Sequence, residues 1–187
     1  MAVAAWVGAL AAFLGLPASW RTEDRRWWRG MVLALGAAAA VAVAGSLLMA
    51  LGMRYLVGIE VADLLQLLAF SVLTALAFKA IVQALVALFG SRGWLLALLL
   101  LVVQVAASGV PFTSAAAPGP LAALSPFVPL TYAIDAFRSA IAGGGSSPAV
   151  DAVVLGGWLV ASVLVTLAVA TGIGRREAAG EVMPTAG

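Results

Sequence analysis

Residues 64–89, LLQLLAFSVLTALAFKAIVQALVALF, run for 26 positions with a single charge, Lys79. A helix needs about 20 predominantly apolar residues to cross the hydrocarbon core of a bilayer, within a range of ~17–25. Four segments meet that length: 30–52, 64–89, 93–109 and 150–174. A fifth apolar run, 1–16, is shorter, about 24 Å as a helix, and is counted as a span. Only 10% of the residues are charged, against roughly 25% in a soluble domain, too few to cover a water-facing surface. The expected fold is therefore all-α integral membrane: a five-span helical bundle forming one membrane domain over 1–177, followed by a short cytoplasmic tail, 178–187. No cleavable signal peptide is expected, because MAVAAWVGALAAFLGLP carries no charge ahead of Arg21.

Loop arginines set the orientation. With five spans and the N-terminus outside, Arg21, Arg25, Arg26, Arg29, Arg92, Arg175 and Arg176 fall in the cytoplasm, leaving Arg54 and Arg138 outside. Trp20, Trp27, Trp28 and Trp94 then sit near the inner boundary, where an aromatic belt forms. The expected location is the cell (plasma) membrane, multi-pass, with the N-terminus outside and the C-terminus cytoplasmic.

One stretch is out of character. LSPFVPLTYAIDAFR, residues 124–138, carries two prolines, an Asp and an Arg between two of the oiliest segments. Gly109 and Pro111 are expected to end the preceding helix. From Leu130, the positions Leu130, Ile134, Phe137 and Ile141 make one oily helical stripe, and Thr131, Asp135, Arg138 and Ser139 make the other face. Gly143 to Gly145 should stop this helix. At about 20 Å, 130–142 is too short to cross. The prediction is an external amphipathic helix between spans 4 and 5, either lying along the outer interface or re-entrant. Asp135 and Arg138, three apart, can pair on its surface.

The chain has no Cys, His or Asn, which removes disulfides, thiolate and imidazole chemistry, and Cys/His metal sites. It also lacks a P-loop, so it cannot hydrolyse ATP by that route. Asp135 and Asp151, sixteen apart, do not make an acid–base pair. No enzyme activity, catalytic residue, cofactor, metal or nucleic-acid partner is expected; the lipid bilayer is.

Lys79, Gln66, Gln83 and Gln104 are polar residues within apolar spans. A charge at such depth costs at least ~2.5–3.5 kcal/mol on insertion scales. Lys79 therefore either lines a substrate route or contacts an anionic group, or it pairs with a buried polar group such as Gln83, or snorkels. The glutamines read as hydrogen bonds between helices. Gly36, Ala40, Ala44 and Gly45, like Gly156 and Gly157, read as close-packing faces or a dimer seam. SWRTEDRRWWRG, 19–30, reads as a positive-inside anchor or as a docking loop for an ATPase or anionic lipid.

The succession VALFGSRGWLLALLLLVVQVAASGVPF, a proline-rich loop, and LSPFVPLTYAIDAFRSAIAGG resembles the C-terminal membrane region of the YhgE/Pip (phage-infection-protein-like) family. The matching positions are Gln104, Ser108, Gly109, Pro111, Pro129, Thr131, Tyr132 and Arg138. WVGALAAFLGLP near the start resembles the span that follows that family's extracellular domain. The resemblance covers essentially the whole chain and is most specific over 83–138. Val110 departs from the family's second glycine, the loop 112–123 is short, and the family's first span and large extracellular domain have no counterpart. A truncated or split member is the expectation.

That family is in turn similar to the membrane subunits of type-2 ABC exporters. The resemblance implies a permease-like subunit for export or transmembrane transport, working as a homodimer or with a separate ATPase. It places Arg21, Arg25, Arg26 and Arg29 in the ATPase-facing loop, and Pro129, Tyr132, Asp135 and Arg138 in the external excursion. Lys79, Gln83 and Gln104 become candidates for the transport path or for packing. The alternative is a non-transporting membrane anchor or a surface or secretion-accessory, phage-attachment-like protein, linked to an upstream extracellular domain.

Overall fold

The computed structural model describes residues 27–58, 61–108, 123–143 and 147–178. Among the described residues the chain is all-helical, with no strand: α1 (Trp27–Gly52), α2 (Leu64–Phe89), α3 (Gly93–Ala107), α4 (Pro129–Ala142) and α5 (Pro148–Ala178). The expected span 1–16, Arg21, Arg25, Arg26, Gly109, Pro111 and the tail beyond Ala178 lie outside the described residues.

Asp63 starts α2. Its backbone is extended and its carboxylate accepts the Gln66 N–H at 2.9 Å, supplying a partner to one of the donors that a helix N-terminus leaves unmatched. At the far end Gly90 takes φ 59°, and a short 3₁₀ turn, Gly90–Arg92, reverses the chain into α3. Gly93 opens α3 directly against α2. A Cβ there would stand 2.5 Å from the Leu85 carbonyl oxygen and from Val86 Cα, so only glycine allows the approach.

All six residues from Ala77 to Val82 are buried. Successive helical residues point in every direction, so α2 is covered on all sides here: it is the axis of the bundle. The other four helices all pack on it, with α5 making the most extensive pairing. The core joins Leu67, Phe70, Phe78, Ile81 and Val82 of α2 to Ala97 of α3, Leu130, Ala133 and Phe137 of α4, and Leu155 of α5. Outer faces are apolar as well: Val41 and Leu48 of α1, Val102 of α3, and Val153 and Leu164 of α5 are exposed. Three helical stretches are long and apolar enough to cross a membrane, 39–56, Leu64–Phe89 and Pro148–Val169. α3, at 15 residues, is about 22 Å long.

Several boundaries differ from expectation. Within the described residues α1 covers Trp27–Gly52, and it runs into a π-helical turn, Met53–Val57, which Gly58 closes at φ 76°. α5 extends over Pro148–Ala178, beyond the expected 150–174. α3 stops at Ala107, where the Ser108 hydroxyl donates to the Val105 carbonyl at 2.9 Å.

α4 corrects the expected stripe. It begins on Pro129, whose missing N–H costs nothing at a first helical position. Gly143, at φ 70°, closes it by donating to the Ser139 carbonyl at 2.9 Å. Its packed face is Leu130, Ala133, Ala136, Phe137 and Ala140, while Ile134 and Ile141 are only half-buried. Alanines carry this face because they let the helix axes approach closely. Ser139, expected on the polar face, is buried at 8% exposure. The glycines correct a second expectation. Among the described residues a Cβ on Gly36, Gly45, Gly156 or Gly157 would meet nothing within 4 Å, so none of them is a close-packing point there.

Candidate functional site

α4 is held at both ends, by different means. At its C-terminal end the Ala62 and Asp63 N–H groups donate to the Ile141 and Ala140 carbonyls at 3.2 and 2.9 Å. These are carbonyls of the last helical turn, which have no partner inside their own helix. Beside them the Gln66 side-chain amide donates to the Ser139 hydroxyl at 2.7 Å, and that hydroxyl donates to the Ala136 carbonyl at 2.9 Å. At the N-terminal end Gln104 Oε1 of α3 accepts the Leu130 N–H at 3.2 Å.

Two registers place that N-terminal end. Leu130 lies nine residues before Ser139, about 14 Å along the helix, which brings it level with about residue 75 of α2, counting from the Gln66–Ser139 bond. Gln104 lies eleven residues beyond Gly93, about 16 Å; counted back from the Gly93–Leu85 contact, it too reaches about residue 74. The Gln104–Leu130 bond joins the two counts. The proline-led end of α4 thus sits inside the bundle, roughly 15 Å from the start of α2, at the level of Thr74.

Thr74 and Gln104 are both 0% exposed. Among the described residues neither Thr74 Oγ1 nor Gln104 Nε2 has a hydrogen-bond partner. The amide NH₂ is two donors and the hydroxyl is both donor and acceptor, so α2 and α3 each carry an unsatisfied polar group at this level of an apolar interior. Other polar groups are buried elsewhere in the bundle. Ser46 of α1 donates to Ser71 of α2, and the Ser71 hydroxyl donates to the Leu67 carbonyl at 2.7 Å. Along α5, Asp151, Leu155, Ser162 and Thr166 form a buried stripe. Asp151, in the first turn of α5, places its carboxylate at the helix end where the backbone dipole is positive.

Lys79 is enclosed in the bundle at 1% exposure, and Gln83, one turn on, is half-buried. Pro129 is buried, and the half-buried Tyr132 donates its hydroxyl to the Pro126 carbonyl at 2.8 Å. Asp135 and Arg138 form an ion pair at 3.4 Å with side chains 36% and 65% exposed. Arg29 lies in the first turn of α1. The fold brings Gln104 to the Pro129 end of α4. It does not gather the polar residues into one cluster: Asp135 and Arg138 stay on the outer side of α4 while Lys79 is inside. Thr74, Ser71, Ser46 and the packing role of Ser139 escaped sequence reasoning. For Ser71 and Thr74 the signal was a hydroxyl residue recurring on the Leu67–Phe78 face of α2. Among the described residues no group of three His, Cys, Asp or Glu side chains could hold a metal ion.

All-helical among the described residues, with three helices there long and apolar enough to span a bilayer, the chain fits a membrane protein. Over 148 residues it is 31% identical to the uncharacterized protein YhgE of Bacillus subtilis (strain 168), in an alignment covering 77% of this chain and 19% of that protein. The similarity supports a YhgE-like family relation, and the chain spans about a fifth of that relative's length. No protein-family model and no solved structure matches the chain.

Proposed function

We propose that the chain is a permease-like membrane subunit resembling type-2 ABC exporters, which moves a substrate across the cell membrane using a separate ATPase. In this reading it crosses the bilayer five times, with the N-terminus outside and the C-terminus cytoplasmic. α4 is the re-entrant helix between the fourth and fifth spans. Arg21, Arg25, Arg26 and Arg29 face the ATPase, and Lys79, Gln83 and Gln104 line or brace the route.

The observation that carries this reading is the position of α4. A 14-residue helix cannot cross, yet its proline-led end lies deep among α2 and α3 with Gln104 capping it. Non-helical backbone at such depth is tolerated only where protein or a water-lined cavity surrounds it, and broken helices meeting at mid-depth are how many transporters build their sites. The exposed apolar faces of α1, α3 and α5 suit lipid. The test is to purify the native chain, identify its partners and reconstitute it with any ATPase recovered. ATP-dependent flux supports the reading; a chain that recovers no ATPase and shows no ATP-dependent flux overturns it.

The second reading, a membrane anchor for a surface or secretion-accessory protein, is favoured by the relative's length, since four-fifths of that protein has no counterpart in this chain. Under it, α4 only caps the bundle.

A further inference from the structure

We infer that the junction of α2, α3 and α4 binds one enclosed water molecule, held between the Thr74 hydroxyl and the Gln104 side-chain amide. This inference is independent of the transporter reading.

Thr74 behaves unlike three other hydroxyl residues buried in these helices. Ser71 donates to the Leu67 carbonyl, Ser139 to the Ala136 carbonyl and Thr166 to the Ser162 carbonyl, each satisfied by its own helix. Thr74 makes no such bond. A buried threonine hydroxyl ordinarily bonds a carbonyl of the preceding turn. Gln104 has spent its acceptor on Leu130, and its NH₂ remains without a protein partner. Leaving two such groups dry forfeits the hydration that each has in water. Buried water typically resolves such sites by making two to four hydrogen bonds.

The chemistry of the pair is complementary to water. The water oxygen accepts from Gln104 Nε2 and one water hydrogen is donated to Thr74 Oγ1. The N-terminal end of α4, held within a side chain's length by the Gln104–Leu130 bond, carries positive dipole charge that favours the oxygen facing it. By the registers above, Ala75, Ala107 and Ala133 fall within about one helical turn of this level, and all three are buried. The small side chains at this level leave the helices room to separate slightly around one water molecule.

The chain has three glutamines and no asparagine, so only Gln66, Gln83 and Gln104 give side-chain amide signals. Water-edited solid-state NMR on the glutamine-labelled protein in lipid vesicles should show transfer from water to the Gln104 NH₂ on the timescale that reaches half-buried Gln66. Thr74→Val, which keeps the shape and removes the hydroxyl, should abolish that transfer at Gln104 only. It should also lower the melting temperature by roughly 2–4 °C. A dry junction predicts the reverse: no transfer to Gln104 in the unmodified chain, and a melting temperature unchanged or raised by Thr74→Val, since an unsatisfied hydroxyl has been removed. Either dry result overturns the inference. Where Thr74→Val fails to fold, the transfer measured on the unmodified chain decides alone.

Discussion

Gln104 of α3 accepts the backbone N–H of Leu130 of α4 at 3.2 Å, across 26 residues of sequence. The bond caps a helix from outside it: Val128, at the N-cap position, has no side-chain acceptor to offer. Replacing Gln104 by Leu removes the cap and keeps the bulk, leaving a buried N–H unmatched. The expected cost is about 1–3 kcal/mol, read as a fall in thermal unfolding temperature in detergent or lipid.

Gln66 and Ser139 give a gentler test. Their 2.7 Å bond fixes the opposite end of α4 to α2, but two backbone bonds share that duty. A double-mutant cycle with Gln66→Leu and Ser139→Ala should return a coupling of about 0.6 kcal/mol, the average for such bonds between membrane helices.

Gly93 is the tight point of the fold. Gly93→Ala drives a methyl into the Leu85 carbonyl and Val86 Cα, and should cost about 1–3 kcal/mol through overpacking. Gly156→Ala and Gly157→Ala, whose methyls would meet nothing, should change the stability of the isolated chain by no more than roughly 0.5 kcal/mol. A loss of self-association in those two variants, measured by analytical ultracentrifugation, would place a dimer seam on α5.

Asp135 and Arg138 pair where solvent reaches both. Arg138→Ala should therefore shift stability by about 0–1 kcal/mol at most, with the difference shrinking further at high salt. A larger loss of transport than of stability in the same variant would assign the pair a role outside folding.

The five-span topology is checked by labelling, since the chain contains no native cysteine. Ser147 and Arg92 are exposed at opposite ends of the bundle. A cysteine at Ser147 should react with an impermeant maleimide on intact cells, and one at Arg92 only after permeabilisation. The opposite pattern would invert the proposed orientation.

Much of the fold was legible because apolar length and glycine punctuation are local signals. The run 64–89 and the stop at Gly143 needed nothing beyond the neighbouring residues. The buried face of α4 was not legible. Large apolar side chains suggested Ile134 and Ile141, whereas the packed surface is built on Ala133, Ala136 and Ala140. Whether an alanine is inside depends on how near the next helix comes, which hydrophobic periodicity does not encode. The same holds for glycine: Gly93 differs from Gly156 only in what faces it. Gln104 stood out in the sequence, but Thr74 did not. A threonine in an apolar helix usually satisfies itself, whereas among the described residues this one has no hydrogen-bond partner.

The two ends of α4 are fastened unequally. Backbone amides of residues 62 and 63 clamp its glycine end, and no single side-chain change removes those bonds. The proline end is tethered to α3 through one glutamine amide. Mechanically this is a cantilever with its fixed support at the start of α2. Freeing the Leu130 end therefore breaks one hydrogen bond between helices, whereas freeing the Gly143 end breaks three.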